Sequence, residues 1–350
     1  MIQIGLIGGG GISETHARAV REIEGVDIAA IFGDNQEKVA RLHDLYGGET
    51  YEELSEFLQH KPMDMVLIGS PSALHAEQGI AAARRGLHVL VEKPIDVTTE
   101  HADLLIRECE RAGVKLGVCF QDRFAPGIGL LKQLIDGGKL GKPVLLSGRV
   151  KWYRPPEYYS NSRWRGTRAL DGGGALMNQG VHTVDLLLWL MGNVDHVSAR
   201  TATALNSIEV EDTAVATLGF ANGALGTLEV ATSVYPGYQR RLELTGSEGT
   251  IILEHDRIIS ADLRTPLAEP LAPVAENTNA SARSAIVSDI SGHRKILEDF
   301  LHAVETNGSP RCDGPEGRRS VELVQAIYES ARTGQSVTVT GKGPRIGEIQ

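Results

Sequence analysis

Ile2-Gln3-Ile4-Gly5-Leu6-Ile7-Gly8-Gly9-Gly10-Gly11-Ile12-Ser13-Glu14 opens the chain, and its reading decides the fold. An apolar run of strand length stops at four glycines, and a helical pattern follows from Glu14 to Ile23. A second apolar strand, Val26 to Phe32, ends at Gly33-Asp34. That is roughly twenty residues beyond the glycines, where a dinucleotide-binding βαβ unit carries the acid that holds the adenosine ribose. Gly8 allows the tight turn and Gly10 lets the backbone approach a pyrophosphate, to which the helix start offers unpaired N–H groups and a partial positive charge. Ser13 stands where a third glycine usually packs helix against strand. The glycines alone also suit a tight turn with no ligand; their place inside a complete βαβ unit favours the nucleotide. Gly33 takes the position where the acid often falls, and no Arg follows to welcome a 2′-phosphate, so Asp34 favours NAD, with NADP left open.

Working outward, the same alternation continues. Met63 to Ile68 is a buried strand that stops at Gly69-Ser70-Pro71-Ser72, Leu87 to Val91 ends in Glu92-Lys93-Pro94, and Lys115 to Val118 precedes Phe120-Gln121-Asp122-Arg123-Phe124, with helical patterns between them. Strands alternating with helices at this spacing predict an α/β Rossmann domain, a doubly wound parallel sheet that binds ligands beyond the carboxyl ends of its strands. Ser70, Glu92, Lys93, Gln121 and Arg123 all fall at those ends, which gathers them round one crevice. After Arg123 the pattern changes. A strand over 144–152, a polar aromatic loop over 153–174 and an apolar helix over 175–191 lead into successive strands, with hairpin signals at Ala221-Asn222-Gly223 and Gly246-Ser247-Glu248-Gly249. This predicts an α+β domain with a large, mostly antiparallel open sheet. Residues 264–290 show no period and read as a long loop, and two helices and a short strand close the chain. At 350 residues the chain exceeds what one core usually supports, giving two domains, 1–124 and 125–350.

Composition narrows the function classes. A net charge of −10 supplies no basic face for nucleic acid, and no apolar run reaches the roughly 18 residues of a membrane helix. The strand-like start has no signal-peptide pattern, so a cytoplasmic protein is expected. Cys109, Cys119 and Cys312 lie far apart, which points to reduced, mostly buried thiols rather than disulfides or a metal site. A small-molecule partner fits this balance best, with no metal, nucleic acid or membrane.

Three groups of residues carry the chemistry. Lys93 ends a buried strand between a carboxylate and a proline; the plain alternative is an exposed lysine leaving a strand, but a desolvated ammonium there could share the proton of an alcohol. His182 stands four residues after Asn178 on one helix face, with Asp185 three residues later to hold the imidazole's other nitrogen, and Gly172-Gly173-Gly174 letting something approach the helix start. A hydride-transfer site needs two such groups, one for the hydroxyl proton and one for the developing oxyanion. The expectation is that Lys93 and His182, from different domains, meet over one nicotinamide ring. In the loop, Tyr153, Tyr158, Tyr159, Trp164, Arg165 and Arg168 offer rings and N–H donors to a polyhydroxylated ligand, the equal alternative from composition being a surface loop that packs on itself.

Taken together, Gly8-x-Gly10-Gly11-Ile12, Ser70-Pro71-Ser72 with His75, Glu92-Lys93-Pro94, Gln121-x-Arg123-Phe124, Trp164-Arg165-Gly166 and Gly172-Gly173-Gly174 through Asn178-x-Gly180-x-His182 resemble the glucose-fructose oxidoreductase, inositol dehydrogenase and MocA family, in order and spacing along the whole chain. The resemblance implies an NAD(P)-dependent dehydrogenase of sugars, cyclitols or their derivatives, and a homodimer or homotetramer formed through the C-terminal sheet. It gives Lys93 and His182 the proton chemistry, and places Trp164, Arg165 and Arg123 at the nicotinamide and substrate end. Gly8, Gly10, Gly11, Ile12, Asp34, Ser70, Pro71, His75, Glu92, Lys93, Gln121, Trp164 and Arg165 are then expected against the cofactor, and Asn178, Tyr153, Trp164, Arg165, Arg168, Arg123 and Asp185 against the substrate. Inositol dehydrogenase-like members have Asp four residues before the His; here it is Asn178, an amide that cannot shuttle a proton. Asn178 is therefore expected to orient a hydroxyl, leaving His182 or Lys93 as base. A second enzyme class, in which retained NAD serves hydrolysis or epimerisation with no net redox, and a non-catalytic dinucleotide sensor are the other readings.

Overall fold

The structure is a computed structural model that describes residues 1–267, 282 and 289–340. The chain divides into two compact units. Among the described residues the first takes 1–121 and 289–318, and the second takes 122–267, 282 and 319–340.

The first unit is built on six parallel strands: β1 (Ile2–Ile7), β2 (Val26–Phe32), β3 (Glu49–Tyr51), β4 (Met65–Ile68), β5 (His88–Glu92) and β6 (Leu116–Cys119). Their order is β3-β2-β1-β4-β5-β6, with the direction of winding reversing between β1 and β4. A parallel sheet is covered on both faces, and the strands read accordingly as continuous apolar runs: Met65, Val66, Leu67 and Ile68 are all at most 1% exposed. Between them lie α1 (Gly11–Arg21), α2 (Gln36–Tyr46), α3 (Leu54–Phe57), α4 (His75–Ala83) and α5 (Thr99–Ala112). Asn35 caps α2 and Thr98 caps α5 through their side-chain oxygens, and α5 stops at the left-handed Gly113.

The second unit holds α6 (Pro126–Asp136), β7 (Pro143–Lys151), α7 (Pro156–Ser160) and a single wide π-helical stretch over Ala175–Gly180 that runs into α8 (Val181–Met191). Strands β8 (Val194–Ala202), β9 (Thr213–Phe220), β10 (Leu225–Ala231), β11 (Arg241–Gly246), β12 (Gly249–Glu254), β13 (Arg257–Leu263) and β14 (Val337–Thr338) complete it. They form one eight-stranded sheet with β7, ordered β13-β12-β11-β7-β10-β9-β8-β14. Every pairing is antiparallel except β7 with β10, and both expected hairpins are present. Helix α8 is apolar almost all round and almost wholly buried, its Leu187 and Thr183 lying on Gly148 of β7. The opposite side of the strands carries Leu145, Val215 and Leu225, which are 49% to 62% exposed.

The chain closes with α9 (Ser291–Glu305) and α10 (Gly314–Thr333). The expected second domain ran unbroken from 125 to 350, whereas α9 packs in the first unit. Phe300 is fully buried against Gly117 of β6, where a Cβ would come within 2.6 Å of its ring, and Arg294 reaches Glu22 at 3.1 Å. Of the 264–290 stretch read as a long loop, 268–281 and 283–288 lie outside the described residues.

Candidate active site

In the first unit the chemistry gathers at the carboxyl ends of the strands. Gly8 has a φ of 118°, and a Cβ there would meet the carbonyl oxygen of Gly69 at 2.7 Å. At Gly10 and Gly11 a Cβ would meet nothing within 4 Å. The glycines thus serve two purposes: Gly8 lets the turn pass β4's loop, while Gly10 and Gly11 leave open space at the N-terminus of α1. That open cradle of backbone N–H groups suits a pyrophosphate. Ser13 is 2% exposed and its Oγ packs beside Gly8 and Gly69, filling the helix-to-strand contact expected of a third glycine, and Ile12 covers Gly69.

Gly33 is closely surrounded. A side chain there would come within 3.2 Å of the Gly9 nitrogen and of Val39, a tight fit, and the acid falls on the next residue. Asp34 is exposed at the end of β2.

Glu92 ends β5 and is 5% exposed. Burial pushes its carboxyl up, but the hydrogen bond and charge of His16, with His293 and Lys93, outweigh that and hold it at about 2. His16 Nε2 lies 2.7 Å from Glu92 Oε1, His293 Nε2 lies 4.0 Å from the same oxygen, and Glu92 Oε2 accepts from the Lys93 N–H at 3.2 Å. Lys93 is half-buried beside this ionised group. Neither His16 nor His293 was picked out from the sequence. His16 falls on the buried face of α1, a position that reads as core, and His293 comes from the distant α9.

His75, expected against the cofactor, is held by two backbone carbonyls. It is 1% exposed, and its two ring nitrogens lie 2.8 Å from the Pro94 carbonyl and 3.0 Å from the Ser70 carbonyl, so it braces the loops after β4 and β5. Burial lowers its pKa. Pro71 is half-buried in the first of these loops, and Ser70 Oγ donates to Gln78 Oε1 at 2.5 Å. Gln121 follows β6, its Oε1 buried and accepting no hydrogen bond from the described residues. The three cysteines are buried free thiols, Cys109 pushed up to about 12 by burial.

In the second unit His182 is 8% exposed at the start of α8. Asp185 was expected to hold its second nitrogen, but that carboxylate takes Arg123 instead, with Nε and Nη2 at 2.8 and 2.6 Å and both side chains 1% exposed. Arg123 also lies over the Trp189 ring at 5.4 Å, so its guanidinium is spent on a buried ion pair rather than presented to a substrate. Asp122 lies beside His182, its Oδ2 3.5 Å from Nδ1, and also pairs with Arg240.

Asn178 sits on the π-helical stretch, where one extra residue per turn re-aims side chains relative to α8. Its Nδ2 donates to Asp171 Oδ1 at 2.7 Å and its Oδ1 accepts from Gln179 Nε2 at 3.0 Å; Gln179 also donates to the Tyr158 hydroxyl at 2.9 Å. The amide's orientation is therefore set by its neighbours. The glycine run before it does not make room for a ligand. A Cβ on Gly174 would fall 1.7 Å from the Glu211 carbonyl oxygen, and one on Gly173 would fall 2.2 Å from the Tyr328 hydroxyl. Glu211 instead accepts from the N–H groups of Gly174 and Leu176 and from Tyr328, holding the helix start. In the loop, Arg165 stacks on the rings of Tyr158 and Trp164 at 4.4 and 5.3 Å. Tyr159 is buried on Thr232, and Tyr153 packs edge-on against Tyr235. Arg168, expected at the substrate, is exposed and donates to the Glu209 carbonyl.

Comparison with known proteins agrees with both halves. Residues 2–120 match the family model of the oxidoreductase family, NAD-binding Rossmann fold, and residues 128–252 match that of the GFO/IDH/MocA C-terminal domain. The chain is similar to the WlbA dehydrogenase from Bordetella pertussis in complex with NADH and UDP-GlcNAcA, with 33% identity, 96% of this chain and 97% of that one covered, and a TM-score of 0.88. It is 31% identical over 252 residues to the rhizopine catabolism protein MocA of Rhizobium meliloti, covering 71% of this chain and 76% of that protein. It is also 26% identical over 345 residues to the myo-inositol 2-dehydrogenase of Thermotoga maritima, covering 96% and 98%.

Proposed function

Because the chain belongs to the GFO/IDH/MocA family of oxidoreductases, we propose that it moves a hydride between a nicotinamide cofactor and a secondary alcohol of a sugar, cyclitol or sugar derivative. The observation that carries the reading is the open cradle over Gly10 and Gly11, at the carboxyl edge of a sheet ordered as in dinucleotide-binding folds. The relatives' small molecules, myo-inositol in one name and UDP-GlcNAcA in one complex, favour polyhydroxylated rings.

The first turn of α1 would hold the pyrophosphate and Asp34 the adenosine ribose. When bound, the cofactor supplies the hydride acceptor. Lys93 and His182 carry the proton chemistry, one taking the hydroxyl proton and the other donating to the developing oxyanion. Asn178, fixed by Asp171 and Gln179, orients a hydroxyl. Glu92 fixes the backbone at Lys93 and places an ionised carboxylate beside it. A dimer or tetramer through the open face of the eight-stranded sheet is supported by the exposed Leu145, Val215 and Leu225, and the free thiols suit a reducing cytoplasm.

Screening sugars, inositols and sugar acids for the appearance of NADH or NADPH tests the reaction directly. Lys93→Ala and His182→Ala are each expected to lower kcat by about 10²-fold or more, with NAD binding retained by calorimetry. Near-wild-type turnover in both would overturn the assignment.

A further inference from the structure

We propose that the small molecule oxidised here carries an anionic group, a carboxylate or a phosphate, and that Arg165 receives it. The inference rests on the dehydrogenase reading and names the substrate class of that same site.

The loop and helix start over 153–179 contain four arginines, 154, 163, 165 and 168, against two acids, Glu157 and Asp171, in a chain of net charge −10. A negative protein repels an anionic ligand at long range, so a local excess of guanidinium is what such a ligand requires. The acids do not cancel it. Asp171 is 2% exposed, and its two oxygens accept from the Gly166 N–H at 2.8 Å and from Asn178 at 2.7 Å; Glu157 is exposed. Arg168 is taken by Glu209.

Arg165 is different. No carboxylate or carbonyl accepts from its side chain among the described residues, and its buried Nε makes no hydrogen bond there. Its half-buried guanidinium is held by ring faces alone, between Tyr158 and Trp164. Ring faces orient a guanidinium without consuming its in-plane N–H donors, which leaves those donors available to a planar or tetrahedral oxyanion. The backbone beneath it is fixed, with the Arg165 N–H donating to Ser162 Oγ at 3.2 Å and the following Gly166 tied to Asp171 and Glu209.

Arg154 stands on the same tyrosine. It is 3% exposed, its guanidinium 5.7 Å from the Tyr158 ring and 5.0 Å from Trp152, and it donates to the carbonyls of Tyr153 and Ala282. Burial lowers its pKa, and Arg165 pushes the same way. The position is also the right one for a substrate: Tyr158 takes its hydrogen bond from Gln179, which reaches Asn178, so Arg165 and the hydroxyl-orienting amide are joined through two side chains. The anionic group and the reacting alcohol therefore belong to one molecule.

The test compares kcat/KM for matched sets, a neutral sugar, its uronic acid and its phosphate ester, on the wild-type enzyme at low and at raised ionic strength. At least a tenfold advantage for the acid or the ester is expected, shrinking with salt, and which of the two gains separates carboxylate from phosphate. Arg165→Gln should collapse that ratio by roughly 10- to 100-fold, while Arg165→Lys, which keeps the charge but not the fork, restores part of it. If Arg165→Gln does not fold, Arg165→Lys and the wild-type salt dependence carry the comparison. A neutral best substrate with a ratio near one, or a ratio untouched in Arg165→Gln, overturns the proposal and leaves the dehydrogenase reading standing. Absence of reduced cofactor with every member of the sets overturns both.

Discussion

Glu92 is one carboxylate on which several residues depend. Its ionisation is set by neighbours that burial alone would oppose, with His16 at 2.7 Å as the strongest of them. Because its folded-state pKa lies below the ordinary value of 4.5, at about 2, it contributes stability that is fully present above pH 4.5 and is lost as the pH falls towards 2. Glu92→Gln should therefore lie below wild type at neutral pH and show a flatter loss over that acid window, as measured by urea unfolding at a series of pH values; parallel curves for the two proteins would refute the ionised state. The sequence placed Glu92 and Lys93 at a strand end correctly, since strand ends are local. It could not supply His16 and His293, which meet Glu92 only through packing. Asp185 shows the same limit of local reading. Helical spacing to His182 is legible, but the buried Arg123 that claims this carboxylate comes from 62 residues earlier.

At the scale of elements, two glycine runs that look alike do different things. Gly10→Ala meets open space, and its backbone, at φ −82° and ψ −178°, is one alanine adopts freely. The expected result is an unchanged melting temperature with Kd for NAD raised roughly tenfold or more. Gly174→Ala drives a methyl into the Glu211 carbonyl and should cost about 3 kcal/mol or more, a loss visible in the melt with or without NAD. Equal NAD affinity in Gly10→Ala and wild type would remove the cradle from the site. Sequence distinguished the first run because strand, turn and helix follow one another directly. It misread the second, since the atoms that crowd Gly173 and Gly174 belong to Tyr328 and Glu211, far along the chain. The wide turn at Ala175–Gly180 was likewise hidden, because its apolar period continues into α8 without a break.

For the molecule as a whole, alternation of burial along β7, β9 and β10 leaves one side of the large sheet bare, with Leu145 and Leu225 directly paired across it. Leu145→Asp combined with Leu225→Asp should convert the oligomer to monomer in light scattering with the secondary structure intact; a wild-type protein that is already monomeric would sink the proposed assembly. The return of α9 to the first unit bears on how the protein is made. Phe300 fills the space beside Gly117, and His293 stands beside Glu92. A ribosome must deliver strands β7 to β13 before either arrives, so the nascent nucleotide-binding half waits, with that part of its core exposed, until the intervening strands of the second unit have been made.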